Sequence, residues 1–210
     1  MNKQAQAIDK KRIARNTLLL YVRMAFMLLV GFYTVRLLLN ALGVTDYGIY
    51  NVIFGLVTMF TFFTGAMTST VQRFICHEIS KGPDGDPRKV FGVSIFLFIA
   101  LSLAVLLLAE TLGIWFIGNK LNIPQDRMSA AWVVYQFSIV MTLLKVLQVP
   151  YTAAITSHED MAAYSQISIL DAMLHLASVL ILRFISADRL ICFTACYTVS
   201  NLIIQFTFSL

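Results

Sequence analysis

Six long apolar runs separated by short polar segments dominate the sequence. A helix that crosses a bilayer needs about 20 predominantly apolar residues, and each run reaches that length. The runs are continuous, without the alternation of apolar and polar residues that marks strands. The pattern predicts an all-α integral membrane protein with six transmembrane helices, over Thr17–Leu39, Tyr47–Val71, Val90–Trp115, Ala130–Tyr151, Ala163–Phe184 and Leu190–Leu210.

The segments between these runs are too short to form a soluble domain. Most of them are polar, and several contain Pro or Gly, which predicts loops. The predicted connections are Asn40–Asp46, Cys76–Arg88, Gly118–Ser129, Ala154–Ala162 and Ile185–Arg189. The chain therefore divides into a basic N-terminal tail, residues 1–16, and a six-helix transmembrane lobe, residues 17–210.

The composition also indicates a membrane protein. The 210 residues are 59% hydrophobic and only 13% charged, with a mean hydropathy of +0.78. A soluble domain carries about 25% charged residues, enough to coat a surface in water. The net charge of +5 does not indicate nucleic acid, because the basic residues lie mainly near the ends of the apolar runs. The first run is too long for the core of a signal peptide, so we expect a retained helix.

The distribution of Lys and Arg predicts the orientation in the membrane, because cytoplasmic segments are enriched in both. The N-terminal tail and the second connection lie on one side and carry Lys3, Lys10, Lys11, Arg12, Arg15, Arg73, Lys81, Arg88 and Lys89. The opposite side carries Lys120, Arg127 and Arg189. We therefore expect a cytoplasmic N-terminus.

Several classes of chemistry are not indicated by the sequence. The three cysteines, Cys76, Cys192 and Cys196, form no paired framework, which argues against structural disulfides. No His or acidic residue lies on the same apolar run as Cys192 and Cys196 to complete a metal site. No phosphate-binding Gly-rich loop, zinc-protease motif or nucleophile elbow occurs. We expect no enzyme activity, no cofactor and no metal.

Ionisable residues deep inside the apolar runs are the candidates for function. Lys145 lies in the fourth run, with Gln148 on the same helix face and Pro150 placed to kink the helix. Asp171 and His175 are four residues apart in the fifth run and therefore share a face.

Two interpretations of these buried charges remain open. Asp171 could pair with Lys145 or Arg23 and lock the helices together. Alternatively, the charges could form a polar path for a charged substrate or a coupling ion. Arg23 lies roughly 10 Å into the first helix, so it either extends to the headgroups or faces a wet cavity.

Residues near the ends of the runs are better explained by the membrane interface. Arg36 is three residues from the end of the first run, so its side chain is expected to reach the outer headgroups. Tyr and Trp are enriched at membrane interfaces. Tyr47, Tyr50, Trp115 and Trp132 are therefore predicted to form aromatic belts.

One segment, "NTLLLYVRMAFMLLVGFYTVRLLLNALGVTDYGIYNVIFGLV", resembles the first two helices of polysaccharide-exporting flippases. These flippases belong to the multidrug/oligosaccharidyl-lipid/polysaccharide exporter superfamily. The pattern that carries the resemblance is an arginine, a Leu-Gly turn and a Tyr-Gly-x-Tyr motif: Arg36, then Leu42-Gly43, then Tyr47-Gly48-Ile49-Tyr50. "TGAMTSTVQRFICHEISKG", with Arg73, is similar to the family's close of the second helix. "VPYTAAITSHEDMAAYSQISILDAMLHL" is similar to its fourth-to-fifth helix connection.

The resemblance implies a transporter built from two six-helix lobes, of which this chain supplies one. It implies a bacterial inner-membrane protein that flips an undecaprenyl-diphosphate oligosaccharide, as the translocases of O-antigen do. In the family, cavity-facing basic residues bind the diphosphate, a role that falls here on Arg23, then on Lys145 with Gln148. Asp171 and His175 would serve ion coupling. The chain ends within an apolar run, so we expect either a fragment, a dimer of lobes or a missing second lobe.

Three alternatives follow from the same features. A cation-coupled multidrug exporter of the superfamily would rely on membrane acids, and Asp171 is the only deep carboxylate. A membrane-embedded glycan polymerase or ligase would need a large outward loop, which the short 118–129 segment does not provide. A half-transporter remnant without transport activity is the third.

Overall fold

The computed structural model describes residues 3–62, 64–121, 123–182 and 188–209. Within these ranges every regular element is helical, so the prediction of an all-α chain is confirmed for them. The helices are α1 (Lys3–Thr58), α2 (Thr64–Ser80), α3 (Pro87–Leu108), α4 (Ile114–Lys120), α5 (Met128–Ser157), α6 (Met161–Ile181) and α7 (Arg189–Ser209). Short 3-10 turns cover Met59–Thr61, Gly82–Asp84 and Gln125–Arg127, and a π-helical turn covers Ala109–Gly113.

Five helical stretches are long and apolar enough to cross a membrane, which is compatible with a multi-pass membrane protein. They are Asn16–Thr58, Pro87–Asn119, Gln125–Ser157, Met161–Ile181 and Arg189–Phe208. The ends predicted for the fifth and sixth transmembrane runs, at Phe184 and Leu210, lie outside the described residues.

Gly43 breaks α1 into a first arm, residues 3–42, and a second arm, residues 44–58. Its φ of 80° and ψ of 171° place it in a region that is essentially restricted to glycine. Both arms are helical up to this one residue. The predicted connection Asn40–Asp46 is therefore wrong in extent, because a single glycine is enough to redirect the chain.

The two arms run in opposite directions. The first arm follows α6: Arg23, at the middle of the arm, bonds Ser168, and Leu37, near the end of the arm, lines the same cavity as Val179. The second arm follows α5 instead, because Asp46 pairs with Arg127 near the start of that helix. Since only residues 158–160 connect α5 to α6, these two helices return on each other, and so do the arms that accompany them.

The predicted second helix, Tyr47–Val71, is wrong as a single helix. It is divided between the second arm and α2, with a 3-10 turn at Met59–Thr61. The hydroxyls of Thr58, Thr61 and Thr64 each bond the carbonyl three residues earlier, at 2.9, 2.7 and 2.6 Å. Such side-chain bonds compete with the α-helical ladder and favour a tighter turn. The Thr-x-x-Thr-x-x-Thr spacing therefore favours a break in the helix here, and a hydropathy profile does not detect this spacing.

Several predicted loops are shorter than the sequence indicated. α2 continues to Ser80 and α3 starts at Pro87, so the Cys76–Arg88 loop reduces to residues 81–86. The Asp86 carboxylate accepts the Lys89 backbone N–H and caps α3, and Asp160 caps α6 in the same way. Polar composition indicates where an apolar run stops. The capping residues determine where the next helix begins, which is closer to the preceding helix than the composition indicates.

Two apolar clusters hold the helices together. The larger joins both arms of α1, the π-helical turn, α4, α5, α6 and α7, and its fully buried side chains include Ile53, Val57, Tyr135, Met141 and Phe193. The smaller joins α2, α3 and α5 through Val71, Ile75, Phe98, Val146, Val149 and Ala153. The α-helices in each cluster present their apolar faces to one another.

Tyr50 belongs to the larger cluster, so its predicted place in an interfacial aromatic belt is wrong. It is only 7% exposed. Its ring stacks on Phe54 at 5.4 Å and meets the edge of Phe193 at 5.2 Å. Tyr50 faces α7. Its position near the end of an apolar run does not indicate in the sequence that it is buried between helices.

An ion-pair cluster joins the start of the second arm, the turn before α5 and the residue before α7. Arg127 pairs with Asp46 at 3.0 Å and with Asp188 at 2.9 Å. The Asp46 side chain is only 8% exposed, whereas Arg127 and Asp188 are about a third exposed. Arg189 adds a bond to the carbonyl of Ala41 at 3.1 Å. This Arg127 cluster fixes the positions of the turn after the first arm and of the starts of α5 and α7.

Candidate functional site

A polar stripe runs along one face of α6. Its members are Tyr164, Ser168, Asp171, His175 and Ser178, at successive spacings of four, three, four and three residues. Residues with that spacing lie on the same side of a helix, one above the other. These five residues, the α6 stripe, bring partners from three other elements together.

Arg23 approaches the stripe from the first arm. Its Nη1 donates a hydrogen bond to Ser168 Oγ at 3.0 Å, and its guanidinium lies 4.6 Å from the centre of the Tyr164 ring. Its Nε is buried and has no hydrogen-bond partner. Among the side chains that the structure describes, no carboxylate makes an ion pair with Arg23. The guanidinium is thus held by a hydroxyl and an aromatic ring, and not by a carboxylate of the described residues.

Lys145 approaches the stripe from α5, within a ring of aromatic side chains. Its Nζ lies 5.8 Å from the centre of the Phe54 ring and 6.0 Å from that of Tyr197. These distances reach the limit at which an aromatic face attracts a cation. Asp171 and His175 are close enough to interact with it electrostatically. No described carboxylate makes a direct ion pair with Lys145.

His175 connects Lys145's surroundings to α7. Its ring stacks on Tyr197 with centres 4.2 Å apart and lies 6.0 Å from Phe193. Its Nε2 is buried without a hydrogen-bond partner. Leaving a buried polar group unpaired costs roughly 1–3 kcal/mol. The unpaired nitrogens of His175, on the stripe, and of Arg23, beside it, are therefore two places where a polar ligand atom or water would be stabilised.

At the C-terminal end of the stripe, α6 and α7 are in direct contact. Ser178 Oγ lies 3.0 Å from Ser200 Oγ, and both hydroxyls are buried. Each of them also bonds a carbonyl of its own helix, at 2.9 Å for Ser178 and 3.0 Å for Ser200. This part of the stripe is saturated with hydrogen bonds, so the unsatisfied groups lie nearer Arg23 and His175.

Sequence reasoning selected the charged members of this site but missed their partners. Tyr164 and Ser168, which hold Arg23, were not considered, and neither were Phe54 and Tyr197 around Lys145. A usable signal was present in "YSQISILDAMLHLAS", where polar residues recur every three or four positions in an apolar helix. The aromatic partners carried no such signal, because Phe and Tyr are common throughout the chain.

The remaining predicted residues lie away from the stripe's contacts. Gln148 is half-buried on α5, and its backbone carbonyl accepts the Thr152 hydroxyl at 3.2 Å. α5 continues as a helix through Pro150, which is buried. Arg36 on the first arm and Arg73 on α2 are both exposed.

The motif residues on which the family resemblance rests lie around the α1 break. Gly43 is the break itself, and the second arm starts immediately after it. Tyr47 and Gly48 are half-buried in the first turns of that arm. The Tyr47 carbonyl accepts a bond from the Asn51 side-chain amide at 2.9 Å.

Arg23 is the part of the arrangement best suited to binding an anion, because Lys145 already interacts with the Asp171 carboxylate. Two cations, Arg23 and Lys145, face one polar stripe within apolar helices, and hydrogen bonds from cations to phosphate oxygens are strong in such surroundings. No group of three or more His, Cys, Asp or Glu side chains within the described residues is placed to hold a metal.

Comparison of the chain with models of known protein families, with curated proteins and with solved structures found no match.

Proposed function

We propose that the chain is one lobe of a membrane transporter that moves a lipid-linked oligosaccharide, an undecaprenyl diphosphate, across a bacterial cytoplasmic membrane for polysaccharide synthesis. The observation that carries the proposal is that Arg23, inside an apolar helix, bonds a hydroxyl and has no carboxylate partner among the described residues. A charged residue at mid-bilayer costs about 2.5–3.5 kcal/mol on insertion scales, so it is retained where it faces a cavity or a ligand. The resemblance of residues 16–57 to the flippases supports the same conclusion.

The proposed mechanism follows from the chemistry of the substrate. A diphosphate with an attached glycan cannot cross hydrocarbon unaided, whereas its polyprenyl tail is apolar and dissolves in the bilayer core. Arg23 offers a planar guanidinium that matches phosphate oxygens, and Lys145 adds a second positive charge further along the stripe. The headgroup would bind along the α6 stripe while the tail remains in the bilayer.

Translocation requires a second lobe that faces this one. In transporters built from repeats, rocking of one bundle against the other exposes a fixed site to each side in turn. We propose that a separate lobe or a second copy of this chain completes the cavity. The excess of Lys and Arg in the N-terminal tail and residues 73–89 supports a cytoplasmic N-terminus. No nucleic acid and no cofactor take part.

Equilibrium binding of a fluorescent polyprenyl diphosphate glycan to the protein in lipid nanodiscs tests the proposal. The wild-type chain should bind the diphosphate more tightly than the matched monophosphate. Arg23→Ala should weaken diphosphate binding about tenfold or more, the effect of one hydrogen bond to a charged group. Arg23→Lys should retain part of the affinity, because it keeps the charge and loses the planar fork.

Arg36→Ala is the matched control, since it removes an arginine from the same arm at an exposed position. It should leave binding unchanged. Equal binding of the diphosphate by wild type and Arg23→Ala, or an equal loss in Arg36→Ala, would contradict the proposal. Unfolding curves of each variant in detergent separate a loss of the site from a loss of the fold.

The electrostatic interaction of Lys145 with Asp171, the one carboxylate of the α6 stripe, favours a second candidate, a cation-coupled multidrug exporter. In that case a proton or cation bound near Asp171 would drive export of an organic substrate. Asp171→Asn should then abolish gradient-driven drug efflux from cells, whereas Arg23→Ala should not affect it. A half-transporter without activity would show neither diphosphate binding nor efflux.

A further inference from the structure

A long cleft lies between α2 and α3, on the side of the bundle away from the α6 stripe. Its volume is about 420 Å³. Three of its lining side chains are more than half exposed: Phe74 at 60%, Val93 at 53% and Leu97 at 54%. The complete lining is Met67, Thr70, Val71, Phe74, Lys89, Val90, Val93, Ser94, Leu97 and Phe98. The cleft is therefore open along its length, and one charged side chain, Lys89, is part of its wall.

The walls of the cleft offer an occupant almost no polar group. The two hydroxyls in its lining are already bonded within their own helices. Thr70 Oγ1 donates to the Ala66 carbonyl at 3.0 Å, and Ser94 Oγ donates to the Val90 carbonyl at 2.8 Å. An occupant that needs hydrogen bonds along its length would lose them here. The cleft is suited to a flexible hydrocarbon chain.

Lys89 supplies a positive charge at one end of the cleft. It lies in the first turn of α3, next to the polar connection of residues 81–86, and its side chain is exposed. No carboxylate in the described part of the chain makes an ion pair with it. The Asp86 carboxylate accepts the backbone N–H of Lys89 at 3.1 Å, so the helix end is already capped. The attraction for an anion at this end therefore comes from the Lys89 ammonium.

The length of the cleft matches one leaflet of a bilayer. From Lys89 to Phe98 is nine residues of α3, or about 14 Å at the helical rise of ~1.5 Å per residue. The hydrocarbon core of a bilayer is ~30 Å thick, so one leaflet contributes about 15 Å. A lipid whose phosphate is at Lys89 would have an acyl chain that reaches the level of Phe98, at the other end of the lining.

From the charge at one end, the apolar walls and the length, we propose that this cleft is a binding site for an anionic phospholipid. The phosphate contacts the Lys89 ammonium, and one acyl chain lies between α2 and α3. The site is separate from the α6 stripe, and the proposal does not depend on the transported substrate. A bound lipid would fill the gap between α2 and α3 and hold these helices at a fixed separation.

Native mass spectrometry of the detergent-solubilised chain, titrated with phosphatidylglycerol or phosphatidylcholine of identical acyl chains, tests the proposal. Wild type should bind phosphatidylglycerol about fivefold more tightly, the factor typical of one lysine near an anionic lipid surface. Lys89→Ala should reduce phosphatidylglycerol binding to the level of phosphatidylcholine and leave the latter unchanged. Val93→Trp, which fills the cleft, should weaken binding of both lipids.

Two neighbouring positions provide matched controls. Arg88 is the adjacent basic residue but lines a different cleft, with Ile75, Phe91 and His158. Phe96 is 72% exposed on α3 and does not line the proposed site. Arg88→Ala and Phe96→Trp should bind both lipids like wild type. Equal affinity of wild type for the two lipids would overturn the proposal, and so would an effect of Arg88→Ala as large as that of Lys89→Ala. Unchanged binding in Val93→Trp would overturn it too.

Discussion

Replacement of Gly43 by alanine should destabilise the fold through the backbone alone. A Cβ at this position would have no atom within 4 Å, so the side chain itself fits. The φ of 80° and ψ of 171° are nevertheless costly for any residue with a Cβ, by about 1–3 kcal/mol. Alanine also restricts the unfolded chain, which returns about 0.4–1 kcal/mol to the folded state. The net loss should be about 1–2 kcal/mol of unfolding free energy.

Gly48→Ala is the control, because Gly48 is helical and a Cβ there is equally free of contacts. Alanine in a helix interior is more favourable than glycine by roughly 0.5–1 kcal/mol, so this variant should be slightly more stable. Thermal unfolding in detergent, followed by circular dichroism, should place Gly43→Ala several degrees below wild type and Gly48→Ala at or above it. Equal midpoints for the two variants would refute the assignment of strain to Gly43.

Further predictions concern the contacts between α5 and its neighbours and are checked by the same unfolding assay. Gly113→Ala should destabilise strongly, because its Cβ would collide with the Tyr135 hydroxyl, which donates to the Ala109 carbonyl at 2.6 Å. In a Tyr135→Phe background the additional cost of Gly113→Ala should be smaller, and additive costs would contradict the clash. Arg127→Ala should cost more stability than Lys81→Ala, because it leaves the largely buried Asp46 carboxylate without a counter-charge, whereas the exposed Lys81 pair is worth about 0–1 kcal/mol.

The helical architecture was predictable because long apolar runs have few alternatives in a membrane. The positions of the helix breaks depend on individual residues, whose effect is lost when hydropathy is averaged over a window. Gly43 sits in a connection that the sequence marked, but the break takes one residue instead of seven. The Met59–Thr61 turn was missed, although the threonine spacing that favours it is visible in the sequence.

The candidate site was predictable only in part, for a physical reason. Charged residues in apolar runs stand out, so Arg23, Lys145 and Asp171 could be selected from the sequence. Their partners depend on which helices face each other, which one helix's periodicity does not determine. Two pairings were left open for Asp171, and the structure places it near Lys145 while Arg23 bonds Ser168. Likewise, Arg127 joins connections that are far apart in sequence.

The central proposal is that the α6 stripe borders a water-accessible anion site. The most direct test is the reactivity of Ser168→Cys, in a background without Cys76, Cys192 and Cys196, towards a charged, membrane-impermeant thiol reagent. Because the thiolate is the reactive species, fast labelling reports water at the site. We predict rapid labelling that a polyprenyl diphosphate slows, and no labelling of Leu170→Cys on the exposed apolar face. An unreactive Ser168→Cys in a folded protein, or labelling that the diphosphate leaves unchanged, would contradict the account.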